Sequence, residues 1–161
     1  MHEACRDKYS MKVTRKRVRV YLDNCCFNRP FDNQDQLRVR LETEAKLEIQ
    51  ARLLRGELEL AWSYILDFEN AANPFPERRE EIAWWREVAH VDVDGNPDVI
   101  LHASQVVSCG ISAKDALHVA CALAGRCDVF LTTDDRLLRN LAAVKDIRSC
   151  NPIAFAMELV T

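Results

Sequence analysis

Glycine is scarce in this chain, with four residues in 161. No Gly-rich turn follows the first apolar run, Val18–Leu22, which excludes the phosphate cradle of a dinucleotide-binding fold. No apolar stretch approaches the ~20 residues that a bilayer span requires, and the charged N-terminus lacks a secretory apolar region, so no membrane partner is expected. The seven cysteines (Cys5, Cys25, Cys26, Cys109, Cys121, Cys127 and Cys150) are odd in number and contain no CxxC pair. Neither a disulfide framework nor a zinc set emerges, so free thiols in a reducing cytoplasm are expected, several of them serving as small apolar groups. Excess charge is also small. A formal net charge of −3 rules out coating nucleic acid by bulk charge, though not local contact with it.

What is present describes one ordinary domain: 48% hydrophobic and 29% charged residues, far from the composition of disorder. Lys12, Arg15, Lys16, Arg17 and Arg19 make a basic run before the first strand. Residues 1–17 therefore read as a flexible basic extension, either a solvated tail or an arm touching nucleic acid, and residues 18–161 as a single domain. Met11 is an alternative start within that extension.

Periodicity and punctuation give an alternating order of elements. Val18–Asp23 reads as a strand, Asp32–Arg55 as a long helix carrying Leu37, Leu41, Ala45, Leu47, Leu53 and Leu54, and Glu57–Trp62 as a half-buried strand. Ser63 suits the N-cap of a helix through Ala72, closed off by Pro74 and Pro76, and Glu77–Ala89 is a further helix bearing Trp84 and Trp85. After the turn Asp94–Pro97 come helices Asp98–Cys109 and Ser112–Ala124, strand Val129–Thr132, short helix Arg136–Leu141 and strand Ile147–Cys150. This alternation predicts an α/β fold: a three-layer sandwich with a mainly parallel central sheet flanked by helices, whose ligands gather at the carboxyl ends of the strands.

Four acids fall at that edge or on helices that can reach it. Asp23 ends the first strand, Asp134 ends Val129–Thr133, Asp115 lies in the first turn of an Ala-rich helix, and Glu69 shares a helix face with Ile65, Leu66 and Ala72. Taken singly, Asp23 can open a turn, Asp134 can cap a helix, and Ser112–Asp115 matches a capping box. Glu69 has no such reading, because an acid on a core-facing stripe is costly unless paired or metal-bound; Asp67 is rotated away from that stripe. Four acids at one point repel unless a cation holds them, which calls for a hard divalent ion such as Mg²⁺ or Mn²⁺ and for phosphate-ester chemistry. Without metal, at least one of the four should have a raised pKa.

Four pieces in order carry a resemblance: Val20-Tyr21-Leu22-Asp23-Asn24, Ser63-Tyr64-Ile65-Leu66-Asp67-Phe68-Glu69, Lys114-Asp115-Ala116-Leu117-His118-Val119-Ala120 and Phe130-Leu131-Thr132-Thr133-Asp134. Together they resemble the PIN-domain nucleases, including the toxin halves of VapBC toxin–antitoxin pairs, from about Val18 to Phe155. The resemblance implies a PIN-like fold and a metal-dependent endoribonuclease that leaves 3′-hydroxyl and 5′-phosphate ends. Its metal-binding and catalytic acids fall on Asp23, Glu69, Asp115 and Asp134, and its site hydroxyl on Thr132. Many relatives carry another acid two residues beyond the last of these; here that place is Arg136, with Asp135 adjacent. RNA, an antitoxin protein and a second copy of the chain are the partners implied.

Asn24 and Thr132 can hydrogen-bond water or phosphate. Arg29, Lys114, Arg136 and Arg139 are candidates to meet substrate charge. His118 lies three residues beyond Asp115 and reads as a packed helix histidine or a support for the site; with Cys121 it makes only half a zinc set. Trp84, Trp85 and Phe75 read as packing or as a partner anchor, and the loop Asn73–Pro76 can border the site. No exposed aromatic series stands out as a platform for bases. The alternative reading is a catalytically quiet domain binding RNA or protein. A haloacid dehalogenase-like phosphatase is disfavoured because Asp23-Asn24-Cys25 lacks that family's second acid.

Overall fold

The computed structural model describes residues 16–161, and the first 15, including Lys12 and Arg15 of the basic run, lie outside it. Five parallel strands form one sheet in the order β3-β2-β1-β4-β5. They are β1 (Arg19–Leu22), β2 (Glu59–Ser63), β3 (Val91–Val93), β4 (Val129–Leu131) and β5 (Arg148–Cys150). Between and beyond them run α1 (Asn24–Asn28), α2 (Leu37–Leu54), α3 (Tyr64–Ala71), α4 (Pro76–Trp84), α5 (Pro97–Val107), α6 (Ala113–Ala124), α7 (Asp135–Leu141) and α8 (Pro152–Leu159).

The central strands are buried on both faces, as parallel sheets require. On one face Tyr21, Ala61, Ser63 and Phe130 look toward α6, with the Tyr21 and Phe130 rings stacked at 5.5 Å and Tyr21 bonded to His118 of α6. On the other face Trp62 meets Phe27 of α1 edge-on at 5.3 Å. Helices α5 and α6 pack together, as do α2 and α8, which completes the three layers. Trp62, Tyr21, Phe27 and Phe130 are fully buried, and each such side chain contributes about 1.5–3 kcal/mol by leaving water.

Several expectations need correction. Strand β2 is not half-buried: Leu60 through Ser63 are all inside, because helices cover both faces of the sheet there, with α1 against Trp62 on one side and α6 on the other. The long helix starts at Leu37, after a 3-10 turn at Arg29–Phe31, and most of its leucines are outside. Leu37, Leu41, Leu47 and Leu54 are exposed, whereas Val39, Ala45, Ile49 and Leu53 turn inward beside Glu42, Thr43, Lys46 and Gln50. Burial lowers the Lys46 ammonium to about 8, and it sits 5.8 Å from the Phe27 ring centre. The helix expected over Glu77–Ala89 ends at Trp84 and gives way to a 3-10 turn at Trp85–Val88; Pro76 opens it as its first residue. Arg19 of the basic run belongs to β1, where it pairs with Glu59 at 2.9 Å and donates to the Gly125 carbonyl. No helix among the described residues is long and apolar enough to cross a membrane.

Candidate active site

Strands β1 and β4 end side by side, and the loops leaving them carry two of the acids. The Asp23 amide donates to the Leu131 carbonyl at 2.9 Å, continuing the ladder one step past β1. Its carboxylate accepts from the Asn24 amide at 2.8 Å, capping α1, and from the Thr132 hydroxyl at 2.9 Å. Asp23 is buried, and burial pushes its carboxyl up against the lowering pull of His118 and of the Thr132 hydrogen bond. One acid does have a raised pKa, as expected, but desolvation leads and the Asp115 charge is a minor contribution.

The other three approach from separate helices. Asp134 caps α7, accepting from the Leu137 amide at 3.0 Å, while its own amide donates to Thr132 Oγ1 at 3.2 Å. Asp115 donates its amide to Ser112 Oγ at 3.3 Å, and its carboxylate accepts no hydrogen bond among the described residues. Glu69 takes the Asn24 amide group at 3.0 Å on one oxygen and His118 on the other, with Lys114 Nζ 4.0 Å away. Burial works to raise the Glu69 carboxyl, but the hydrogen bond and charge of His118, then Lys114 and Asn24, outweigh it and hold it below its ordinary value. Asp23, Glu69, Asp115 and Asp134 all line one cleft of about 380 Å³, together with Asn24, Cys25, Asn28, Asp32 and Lys114.

Helical phase separates Glu69 from Asp67 as expected. Asp67 accepts from the Trp62 indole at 2.9 Å and lies 3.6 Å from Arg86, away from the cleft. Asp135, adjacent to Asp134, is held by a two-pronged contact from Arg38 at 2.6 and 2.8 Å, so it is not a substitute for the acid that Arg136 replaces. Arg29 is committed to Glu42 at 3.1 Å and Asp32 at 2.9 Å, which leaves Lys114 as the cation in the cleft itself. Arg136 lines an adjoining groove with Asp115 and Asp134, while Arg139 is exposed on α7.

His118 is more central than its position beside Asp115 indicated. It is buried, with Nε2 bonded to Glu69 and 3.9 Å from Asp23; Nδ1 is 2.7 Å from the Tyr21 hydroxyl, which in turn is 2.7 Å from Ser63 Oγ. A continuous polar chain thus backs two of the acids from inside the sheet–helix interface. The available signal was Tyr21, two residues before Asp23 and so on the same strand face.

The donor set has the chemistry for a hard divalent ion: carboxylates only, with both oxygens of Asp115 and one of Asp134 uncommitted among the described residues, and a buried Asp23 charge to be offset. Its geometry is open. No three His, Cys, Asp or Glu side chains among the described residues are in position to hold a metal ion.

No protein-family model and no curated protein matches the chain. Solved structures do. FitAcB from Neisseria gonorrhoeae aligns with a TM-score of 0.55 at 16% identity, over 83% of this chain and 97% of that one. VapBC2 from Rickettsia felis, bound to a DNA fragment from its promoter, gives 0.53 at 12% identity over 83% and 98%. DNA-bound VapBC from Salmonella typhimurium gives 0.53 at 16% over 84% and 98%. The likeness drawn from the motifs therefore holds for the PIN-like architecture, and at these identities it speaks for the fold alone.

Proposed function

We propose that this protein is a metal-dependent endoribonuclease that hydrolyses RNA phosphodiester bonds in the acidic cleft, and that it acts as the toxin of a toxin–antitoxin pair. The observation that carries the nuclease reading is the meeting of four carboxylates, from four separate segments of the chain, in one cleft at the carboxyl edge of a parallel sheet. Its neighbours in fold are VapBC-type complexes, which supports an antitoxin protein as partner. A homodimer is part of the same proposal.

Asp23 and Asp115 are the main ligands for Mg²⁺ or Mn²⁺ in this reading, with Asp134 joining them directly or through water. A bound ion of this kind polarises a phosphoryl oxygen and makes hydroxide available from water near neutral pH. Thr132 holds one Asp23 oxygen, which leaves the carboxylate a fixed orientation. His118 and Asn24 hold Glu69, so that it can orient the attacking water. Lys114, beside Glu69, offers a positive charge to a substrate phosphate at the rim of the cleft.

The open geometry of the acids favours one competitor, a domain that binds RNA without cutting it. Labelled RNA incubated with Mn²⁺ or Mg²⁺ separates the two. The wild-type protein should cut it, and Asp115→Asn should lose roughly a hundredfold or more in rate, the order of the several kcal/mol a metal supplies. Cleavage that survives a chelator or the variant sinks the nuclease reading; binding without cleavage by the wild type hands it to the competitor.

A further inference from the structure

A second groove opens from the acidic cleft and shares Asn24, Asn28, Glu69 and Lys114 with it. Phe68, Phe75 and Arg78 line it beyond the shared residues, as do Asn73 and Pro74. The aromatic pair was not legible in the chain as a platform, because one ring sits on α3 and the other before α4. Folding places both on one groove. Phe68 is 70% exposed and Phe75 49%, a large apolar area to leave in water with no packing role to explain it.

The polar groups around these rings differ from those of a plain apolar patch. The Arg78 guanidinium lies 4.0 Å from the Phe75 ring centre and 5.3 Å from that of Phe31, and it has no carboxylate partner among the described residues. Lys114 also lines the groove. Along the floor runs a ladder of side-chain amides: Asn73 donates to Asn28 at 3.2 Å, Asn28 to Asn24 at 3.3 Å, and Asn24 to Glu69. Exposed rings, a stacked guanidinium, a second cation and amide donors and acceptors match the parts of an unpaired nucleotide: a flat base, an anionic backbone and a polar base edge.

We propose that this groove is a base-binding subsite, which receives an unpaired nucleotide next to the phosphodiester held in the acidic cleft. The inference rests on the nuclease reading and adds to it the place where a base is held: a base stacked on Phe68 or Phe75 cannot remain paired in a helix. Arg78 and Lys114 meet the backbone charge, and the asparagine ladder meets the base edge. The continuity of the two clefts keeps the strand in register with the acids.

The test is fluorescence-anisotropy binding of a short single-stranded RNA in chelator, where no cleavage occurs. Parallel arms use the duplex of the same sequence and an oligonucleotide series carrying one abasic position at each site in turn. Phe68→Ala, Phe75→Ala and Arg78→Ala should each weaken binding of the single strand about tenfold, within the range for a lost stacking contact. Phe68→Trp, which keeps a flat ring, should restore it, and all variants should melt with the wild type, since the rings are exposed. The duplex should bind more weakly, and one abasic position should mimic the alanine variants in the wild type and cost nothing further in them. Wild-type cleavage with unchanged affinity in every variant overturns the subsite while leaving the nuclease reading intact. Unchanged RNA affinity with lost capture of a protein partner also overturns it and assigns the groove to that partner. A wild type that neither binds nor cuts single-stranded RNA brings down the underlying reading itself.

Discussion

Asp23 and Glu69 share a cleft, yet the fold treats their charges in opposite ways. Burial raises the Asp23 carboxyl in the folded chain, so its ionisation costs stability above the folded pKa, a cost relieved as pH falls from there toward the unfolded value. Glu69 is held low, so it contributes stability above the ordinary carboxylate pKa that is lost as pH falls through its folded value. Asp23→Asn keeps one acceptor oxygen for the Asn24 amide, presents an NH2 donor where the second oxygen accepted from Thr132, and removes the buried charge. In metal-free solution it should therefore melt higher than wild type at pH 7, by about 2–4 °C for each kcal/mol relieved, and the gain should fade below the carboxylate range. On the proposed metal site, Mn²⁺ should raise the melting point of the wild type, and Asp23→Asn should lose that shift. Melting curves from pH 4 to 8 check both; a lower melting point at pH 7 would mean that the hydrogen bonds to the carboxylate outweigh its burial. At this scale, Asp23, Asp115 and Asp134 were legible because strand ends and helix starts are punctuated locally. His118 was not, because Glu69 and Tyr21, which give it its place, lie 49 and 97 residues away.

Element by element, segments with a clear cap or an apolar run could be read from the chain, including the short β4, β5 and α7, whereas β3 and α1 could not. Ser63 and Ser112 do cap α3 and α6, accepting from Leu66 and Asp115 amides. Strand β3 is Val91-Asp92-Val93, with a charge at its centre where the equally short β4 is wholly apolar, and α1 is a single turn that starts at the Asp23 cap. Helix α2 misled for another reason. Its inward stripe includes Glu42, fully buried and bonded to Arg29 at 3.1 Å and to the Asn151 side chain at 2.6 Å, with Arg38 3.4 Å away. That carboxylate joins α2 to the turn after α1 and to the cap of α8, a device visible only once all three are in place. Glu42→Ala should cost about 3–5 kcal/mol by leaving buried cationic and amide groups without their acceptor. Urea unfolding measures it, and a loss under 1 kcal/mol would show that water replaces the carboxylate there.

For the molecule as a whole, the parallel sheet decides which thiols meet solvent. Burial raises the Cys121 and Cys127 thiols to about 12, and that of Cys26 far above its usual range. At pH 8 a water-soluble disulfide reagent should leave these three unmodified in the folded protein and label them at once in denaturant. Labelling of Cys121 under native conditions would contradict the packing of α6 on the sheet. The same sheet sets when the cleft can exist. Its first acid follows β1 and is fixed by Thr132, 109 residues later, and Asp134 comes later still. Contacts so distant along the chain form late. A chain folding as it leaves the ribosome therefore passes through most of its synthesis with the set of four acids incomplete and Asp23 without its Thr132 partner. On the ribonuclease reading proposed above, such a chain is born within reach of both its own message and ribosomal RNA, and that order of assembly acts as a delay fuse: the cleft is completed only after Asp134 has emerged.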